Sequence, residues 1–316
     1  MRPDGQHGRR IVSRVRTRLW AWAAVVALVL AAGCSAGQPA GHRGPAGHRA
    51  AGLSGPPGFW NRSRLLAALP SGVQRASRGQ APSRPDQSAS ARTAGTRAAL
   101  RVGALFEHDA TGNHFCTASV VSSPGKDLLI TAAHCINGGK GSSGYKSDIV
   151  FIPGYRDGEA PFGVWTPAQL IVAPQWAQSS DPDYDVGFVL LQPSDGRTIE
   201  QVLGANQLAE DTGYDYLVHV TGYPSSADAP ITCVNRTSRH STSQLRFQCA
   251  GYSGGTSGSP WVTRFNASSR TGTIVGVIGG YQEGGDTDSV SCSPRLDAAT
   301  MRLYQQAVAA DRTGHP

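Results

Sequence analysis

Three short stretches of this 316-residue chain hold side chains whose types and settings suit covalent chemistry. In Gly254-Gly255-Thr256-Ser257-Gly258-Ser259-Pro260 a serine lies among glycines, and a proline closes the run. Glycine reaches backbone angles that other residues avoid, so such a run can fold into a tight loop with its N–H groups pointing one way. Stabilising a negatively charged oxygen beside a nucleophilic hydroxyl needs that arrangement. Upstream, Ala132-Ala133-His134-Cys135 ends an apolar run. An imidazole held there, at the rim of a sheet, is the natural general base near neutral pH. Between the two, Asp185 stands directly before the apolar run Val186–Leu191. A carboxylate at the start of a buried strand can accept a hydrogen bond from the imidazole Nδ1–H, fix the tautomer and stabilise the imidazolium. Asp181 and Asp183, flanking Pro182, read as solvated loop acids. The order His134, Asp185, Ser257 has gaps of 51 and 72 residues.

These residues need elements to hold them. The apolar runs are short: 98–106, 114–121, 127–131, 149–152, 186–191, 217–220 and 273–278. Turn residues separate them, among them Pro124-Gly125, Pro153-Gly154, Asp195-Gly196 and Gly284-Gly285. Many short strands with Gly/Pro turns and no alternating long helices argue an all-β barrel or sandwich. Only the end reads as helix, with Ser293-Pro294 as its start and Leu296, Thr300, Leu303 and Ala307 on one face.

Cysteine usage fits an exported protein. Cys116 and Cys135 lie on adjacent expected strands, and a disulfide between them would brace the segment carrying His134. Cys233 and Cys249 flank an expected hairpin that feeds the serine loop, and we expect them to pair. A zinc site from His114, Cys116, His134 and Cys135 fits no recurrent ligand spacing, so neither metal nor cofactor is expected. A second serine, in Gly251-Tyr252-Ser253-Gly254-Gly255, matches the G-x-S-x-G elbow of α/β-hydrolases. That fold needs its histidine after the serine, and only His315 follows.

At this point a resemblance is plain. The histidine stretch Leu129–Cys135, the strand before it (Phe115–Val120), the aspartate stretch Asp185–Leu191 and the serine stretch Gly255–Pro260 resemble those of trypsin-like, chymotrypsin-fold serine peptidases. The likeness covers about residues 98–310 and is greatest to secreted bacterial members such as the glutamyl endopeptidases. It implies two six-stranded antiparallel β-barrels with a C-terminal helix. It implies His134, Asp185 and Ser257 as catalytic residues, with the N–H groups of Gly255 and Ser257 as oxyanion donors. It sets the specificity pocket at Gly251, Tyr252, Ile278, Gly279 and Gly280, with no acid placed to bind Arg or Lys. The histidine that glutamyl endopeptidases use near that strand is also absent, so a neutral pocket is expected. Some members bridge across the pocket, which makes Cys249–Cys292 the alternative pairing. Trypsin carries an acid directly before its nucleophile that pairs with the freed N-terminus, whereas this chain has Thr256. The expected activity is hydrolysis of peptide bonds in protein or peptide substrates through an acyl-enzyme. The alternatives are a non-catalytic surface binding module on the same fold, or an esterase using the same residues.

The N-terminal third differs in kind. Residues 1–100 hold 15 Arg against Asp4 and Asp86, a balance of +13, while the remainder stands at −6. The folded part is therefore mildly acidic, which argues against nucleic-acid binding. Six Arg between Arg2 and Arg18 precede the 14-residue apolar run Leu19–Ala32. That is short of the roughly 20 residues a spanning helix needs and reads as a signal peptide over 1–33. Ala31-Ala32-Gly33-Cys34 resembles a bacterial lipobox, with Cys34 as the lipidated residue and the sole membrane attachment; ordinary secretion is the alternative. Residues 34–97, rich in Gly, Ala, Pro, Ser and Arg, read as a flexible tether or propeptide, and His42 and His48 as part of it. The domain spans 98–316, a monomer at the outer cell surface or released from it.

Overall fold

The computed structural model describes residues 59–71, 91–92, 100–210 and 213–314. Leu19–Ala32 and Cys34 lie outside the described residues, so the signal and lipobox readings stay expectations. No helix among the described residues is long and apolar enough to cross a membrane.

A short helix, α1 (Arg62–Ala67), and two-residue strands β1 (Leu69–Pro70) and β2 (Ala91–Arg92) come first. Six strands follow: β3 (Val102–Asp109), β4 (Gly112–Val121), β5 (Leu128–Thr131), β6 (Ser147–Pro153), β7 (Pro167–Val172) and β8 (Gly187–Leu191). They form one antiparallel sheet in the order β6-β3-β4-β5-β8-β7. The two-way backbone pairing of Phe151 with Trp165 joins the β6 edge to the segment entering β7 and closes the curl. Short helices α2 (Pro174–Ser179) and α3 (Ile199–Leu203) and the two-residue β9 (Gln207–Leu208) lead to the second set. This comprises β10 (Leu217–Gly222), β11 (Ile231–Arg239), β12 (Gln244–Gln248), β13 (Pro260–Asn266), β14 (Thr271–Val277) and β15 (Val290–Pro294). Its order is β15-β12-β11-β10-β13-β14, and helix α4 (Ala298–Gly314) ends the chain. The two six-stranded sets and the C-terminal helix are the expected all-β architecture, with β1, β2 and β9 added at their margins.

Side chains alternate across a strand, and here both faces are apolar because each finds a different core. Leu105, Leu129, Val189 and Leu191 point into the first barrel. Their neighbours Leu128, Ile130, Phe188 and Leu190 face a second cluster with Val262, Ile274, Leu296, Leu303 and Ala307. That cluster joins the barrels and seats α4. The continuous apolar runs follow from burial on both sides. Thr300, Leu303 and Ala307 form a buried helix face as expected, with Leu296 buried just ahead of it, but the helix does not start at Ser293-Pro294. Those two residues complete β15, where Ser293 Oγ accepts from Val277 N and donates to Pro294 O. Asp297 caps the helix instead, its Oδ1 accepting from Ala299 N at 2.8 Å and Thr300 N at 3.2 Å.

The flexible reading of 34–97 fails for residues 59–71. Trp60 and Leu65 are buried against Ala104, Phe106, Val150, Ile152 and Tyr155 on the outer face of the first barrel. The stretch is poor in apolar residues overall, but it concentrates them where a barrel face lies open. Ala91–Arg92 likewise pairs with Ile231–Thr232 of β11.

Cys116 of β4 is bonded to Cys135, 19 residues on, with Cα atoms 6.0 Å apart. Cys233 is bonded to Cys249, so the Cys249–Cys292 alternative is not adopted. Replacing Cys116 and Cys135 together by alanine should lower stability by about 3 kcal/mol, read as a fall in the denaturant midpoint. An unchanged midpoint would show that the bridge does not constrain the fold.

Candidate active site

His134 sits in a single turn, Ala133–Cys135, that follows β5 directly. The strand delivers it to the barrel rim, and the disulfide at Cys135 fixes the turn to β4. Asp185 lies just ahead of β8, the neighbour of β5, after the turn Pro182–Tyr184. Pairing of Thr131 with Gly187 therefore brings the two side chains together across adjacent strand ends. Asp185 is fully buried. Its Oδ2 accepts from His134 Nδ1 at 2.8 Å and its Oδ1 accepts from the His134 backbone N at 2.9 Å. The N–H of Gly280, from the second barrel, donates to Oδ2 at 2.8 Å. The loop acids behave as expected: Asp181 caps its own turn, and Asp183 accepts from Gln244 Nε2.

With Nδ1 committed to Asp185, Nε2 of His134 is buried and makes no hydrogen bond. Burial disfavours the charged imidazolium, but the Asp185 carboxylate outweighs that through its charge and hydrogen bond. Glu283 adds to this and the Lys146 ammonium opposes it. The net result is a pKa above the ordinary imidazole value of 6.5.

Ser257 enters from the second barrel, in the loop before β13. Its carbonyl accepts from Thr117 N at 2.8 Å, tying the loop to β4. Gly258 N donates to Ile278 O at 2.7 Å. Two glycines are required by space as well as by backbone. Gly255 (φ +91°) has Phe115 and the Tyr223 carbonyl where a Cβ would stand. Gly258 (φ +83°) has the Thr117 carbonyl 2.0 Å and Thr131 Oγ1 2.3 Å from that point. Gly258 thus packs beside the strand that ends in His134. Among the described residues, neither the N–H of Gly255 nor that of Ser257 is used by a protein acceptor.

Thr256, which sequence reading left without a role, is buried and staples the loop to itself. Its Oγ1 donates to Ser253 O at 2.7 Å, and its carbonyl accepts from Ser259 N and Oγ. The loop is held by internal hydrogen bonds at the position where trypsin carries its acid. Ser253 Oγ itself lies 3.1 Å from Ser225 Oγ, away from His134's partners.

Ser257 Oγ does not donate to His134 Nε2 in this conformation. It lies 3.5 Å from the Glu283 carbonyl. Glu283 belongs to the turn Tyr281–Glu283 after β14, in which Gln282 and Glu283 both have left-handed backbones (φ 50° and 53°). Sequence reading missed Glu283, since nothing around it sets it apart from a solvated loop acid. The expected pocket residues are mostly interior. The Tyr252 ring is in the core inside the second barrel, with Val218, Phe247 and Trp261, and its Oη donates to Val220 O; Ile278 joins that core, and Gly279 and Gly280 back onto Asp185 or Gln244. Only Gly251 of the five is exposed. The Cys116–His134–Cys135 cluster has metal-ligand proximity, but its two sulfurs are bonded to each other.

No family model matches the chain. An extracellular metalloprotease of Bacillus subtilis (strain 168) is 29% identical over 84 residues, which are 27% of this chain and 25% of that protein. The chain thus spans about a quarter of that relative's length. The protease Anisep from Arthrobacter nicotinovorans superposes with a TM-score of 0.60 at 26% identity, covering 66% of this chain and 96% of that one. A thermostable serine protease, AL20, from an extremophilic microorganism gives 0.61 at 25%, covering 68% and 99%. A Glu endopeptidase gives 0.58 at 18%, covering 71% and 98%. The chain has the chymotrypsin-type fold of these structures.

Alanine at Gly258 has no room beside the Thr117 carbonyl. Gly258→Ala should therefore cost several kcal/mol of stability, on the order of 3 for a strained and clashing backbone site, measurable by thermal unfolding. A variant with unaltered melting would contradict the tight approach.

Proposed function

We propose that this chain is a serine endopeptidase whose His134, Asp185 and Ser257 act as one unit. The observation that carries the reading is the double grip of Asp185 on His134, side chain and backbone, which leaves a buried Nε2 without a partner. Most buried polar side-chain atoms find a partner, so an unpaired Nε2 on a ring fixed through Nδ1 is placed to take a proton. Similarity to a protease and to a serine protease, each at 25% identity or above, supports the peptidase class.

In the proposed reaction Ser257 Oγ turns from the Glu283 carbonyl toward Nε2 and gives up its proton as it attacks a peptide carbonyl. The forming oxyanion is received by the N–H groups of Gly255 and Ser257, which the loop already holds open. Asp185 stays ionised and stabilises the imidazolium. His134 then protonates the leaving amine, and the acyl-enzyme is hydrolysed by water activated in the same way. The disulfides and the similarity to proteases support an extracellular setting. Export by residues 1–33, with Cys34 as a lipid anchor, completes the proposal.

Ser257→Ala should lower turnover by a factor on the order of 10⁶, and a fluorophosphonate probe should label wild type at Ser257 but not this variant or His134→Ala. Substantial turnover in Ser257→Ala would sink the assignment. The base works only when neutral, so activity should rise with pH through an inflection above 6.5, the ordinary imidazole value. Removing the Glu283 charge in Glu283→Gln should move that inflection down. A stationary inflection would mean that Glu283 does not act on His134. The stability linked to this histidine has its own sign. Its pKa is raised on folding, so that contribution is complete below 6.5 and is lost as pH climbs through the folded value.

A further inference from the structure

The first half of β4 pairs with β3 on one side only; β5 joins it no earlier than Ser119. Its other edge, at His114–Phe115, is left by the barrel strands for an extended segment to complete by adding a strand. This edge borders the proposed site. Thr117, two residues on, is bonded to the Ser257 carbonyl, and the Phe115 ring fills the space beside Gly255. Two strand residues span about 7 Å. A polypeptide passing the nucleophile therefore meets this edge within two or three residues of the bond to be cut.

The edge is already occupied by the chain itself. Leu69 and Pro70 lie alongside His114 and Phe115 as a parallel strand, and Ser71 N donates to Phe115 O at 2.9 Å. Pro70 abuts Gly254 of the serine loop, 2.8 Å from where a Cβ would stand. Ser71 is buried and latched: Lys146 Nζ donates to its Oγ at 2.6 Å and to Glu107 Oε1 at 2.5 Å. Glu107 is fully buried, so Lys146 is held in place whether or not Ser71 is present. The same ammonium opposes protonation of His134, though only as the weakest of the influences on it. Further back, Trp60 and Leu65 anchor the segment in the barrel face, and Trp60 Nε1 donates to Asp148 O.

We infer that Leu69–Ser71 blocks, in cis, the subsite that receives residues on the leaving-group side of the scissile bond. The chain in this form is then latent toward extended substrates. The segment runs past the serine loop without offering a carbonyl to Ser257 Oγ, whose contact is Glu283 O. Proline at 70 brings no N–H to the edge. The block is a docked strand rather than a bound substrate. Release of the segment exposes the Phe115 carbonyl and the Lys146 ammonium to an incoming polypeptide, which favours leaving-group residues that offer an N–H and an acceptor side chain.

This inference rests on the proposed serine peptidase activity, and its test separates the two. The full chain is compared with Trp60→Ala/Leu65→Ala, which unseats the anchor, and with Ser71→Pro, which keeps the anchor but removes the Ser71 N–H and hydroxyl. Two substrates are used: an internally quenched peptide library randomised on both sides of the scissile bond, and the acyl-side library ending in aminomethylcoumarin. Both variants should cleave the extended library at least tenfold faster than wild type, with the coumarin library changed less than twofold. A synthetic peptide of residues 58–72, added to the double variant, should restore the block. Equal extended-library rates in wild type and Ser71→Pro, with Ser257 labelled by a fluorophosphonate in both, would overturn the inference alone. Absence of labelling in every form would overturn the peptidase reading and the inference with it.

Discussion

The buried carboxylate of Asp185 is the point on which this structure turns. It has no contact with solvent, and three N–H donors converge on it: the His134 backbone, the His134 ring and Gly280. An ionised carboxylate deprived of water is tolerable only when donors of this kind surround it. The requirement reaches across both barrels. β5 must deliver His134, β8 must begin at Gly187, and the chain leaving β14 must bring a backbone N–H to the same oxygen that holds the imidazole. Gly279 and Gly280 follow from this, because a side chain at Gly279 would sit 3.0 Å from the Asp185 carboxylate. The glycine pair read from the sequence as pocket wall is the backing of the acid.

Much of this was legible without coordinates because it depends on local order. Leu128–Thr131 is apolar on alternate faces that meet different cores, so its strand character and the position of His134 at its end are written in consecutive residues. The Cys116–Cys135 bridge follows from adjacency of strands. Features that arise between distant segments were not legible. Tyr252 and Ile278 were assigned to a pocket by likeness, yet whether such residues face a cleft or a core depends on how Phe247 and Trp261 pack around them. The start of α4 was misplaced because Ser293 has the chemistry of a cap but a buried strand partner took it first. Residues 59–71 were misread by composition. Averaged over 34–97, Phe59-Trp60 vanishes among Gly, Pro and Arg, whereas a barrel face responds to the individual ring.

The serine loop illustrates a different economy. Thr256 spends its hydroxyl on the Ser253 carbonyl, and Ser259 returns two bonds to the Thr256 carbonyl. The loop is thereby closed by neutral hydrogen bonds among its own residues. An ion pair with a distant terminus would make loop order depend on cleavage elsewhere. A self-stapled loop does not, and control of such a site has to act on access instead.

Docking of the N-terminal segment has a consequence for biogenesis. Leu69–Ser71 is synthesised before every surface it touches, and the last of these, Gly254, precedes Ser257 by three positions. The docked strand is therefore waiting as each part of its groove emerges. At no stage of elongation does Ser257, the proposed nucleophile, exist in a chain that lacks Leu69–Ser71. On the proposed peptidase reading, a cell making this polypeptide is shielded from it by the order of its residues alone.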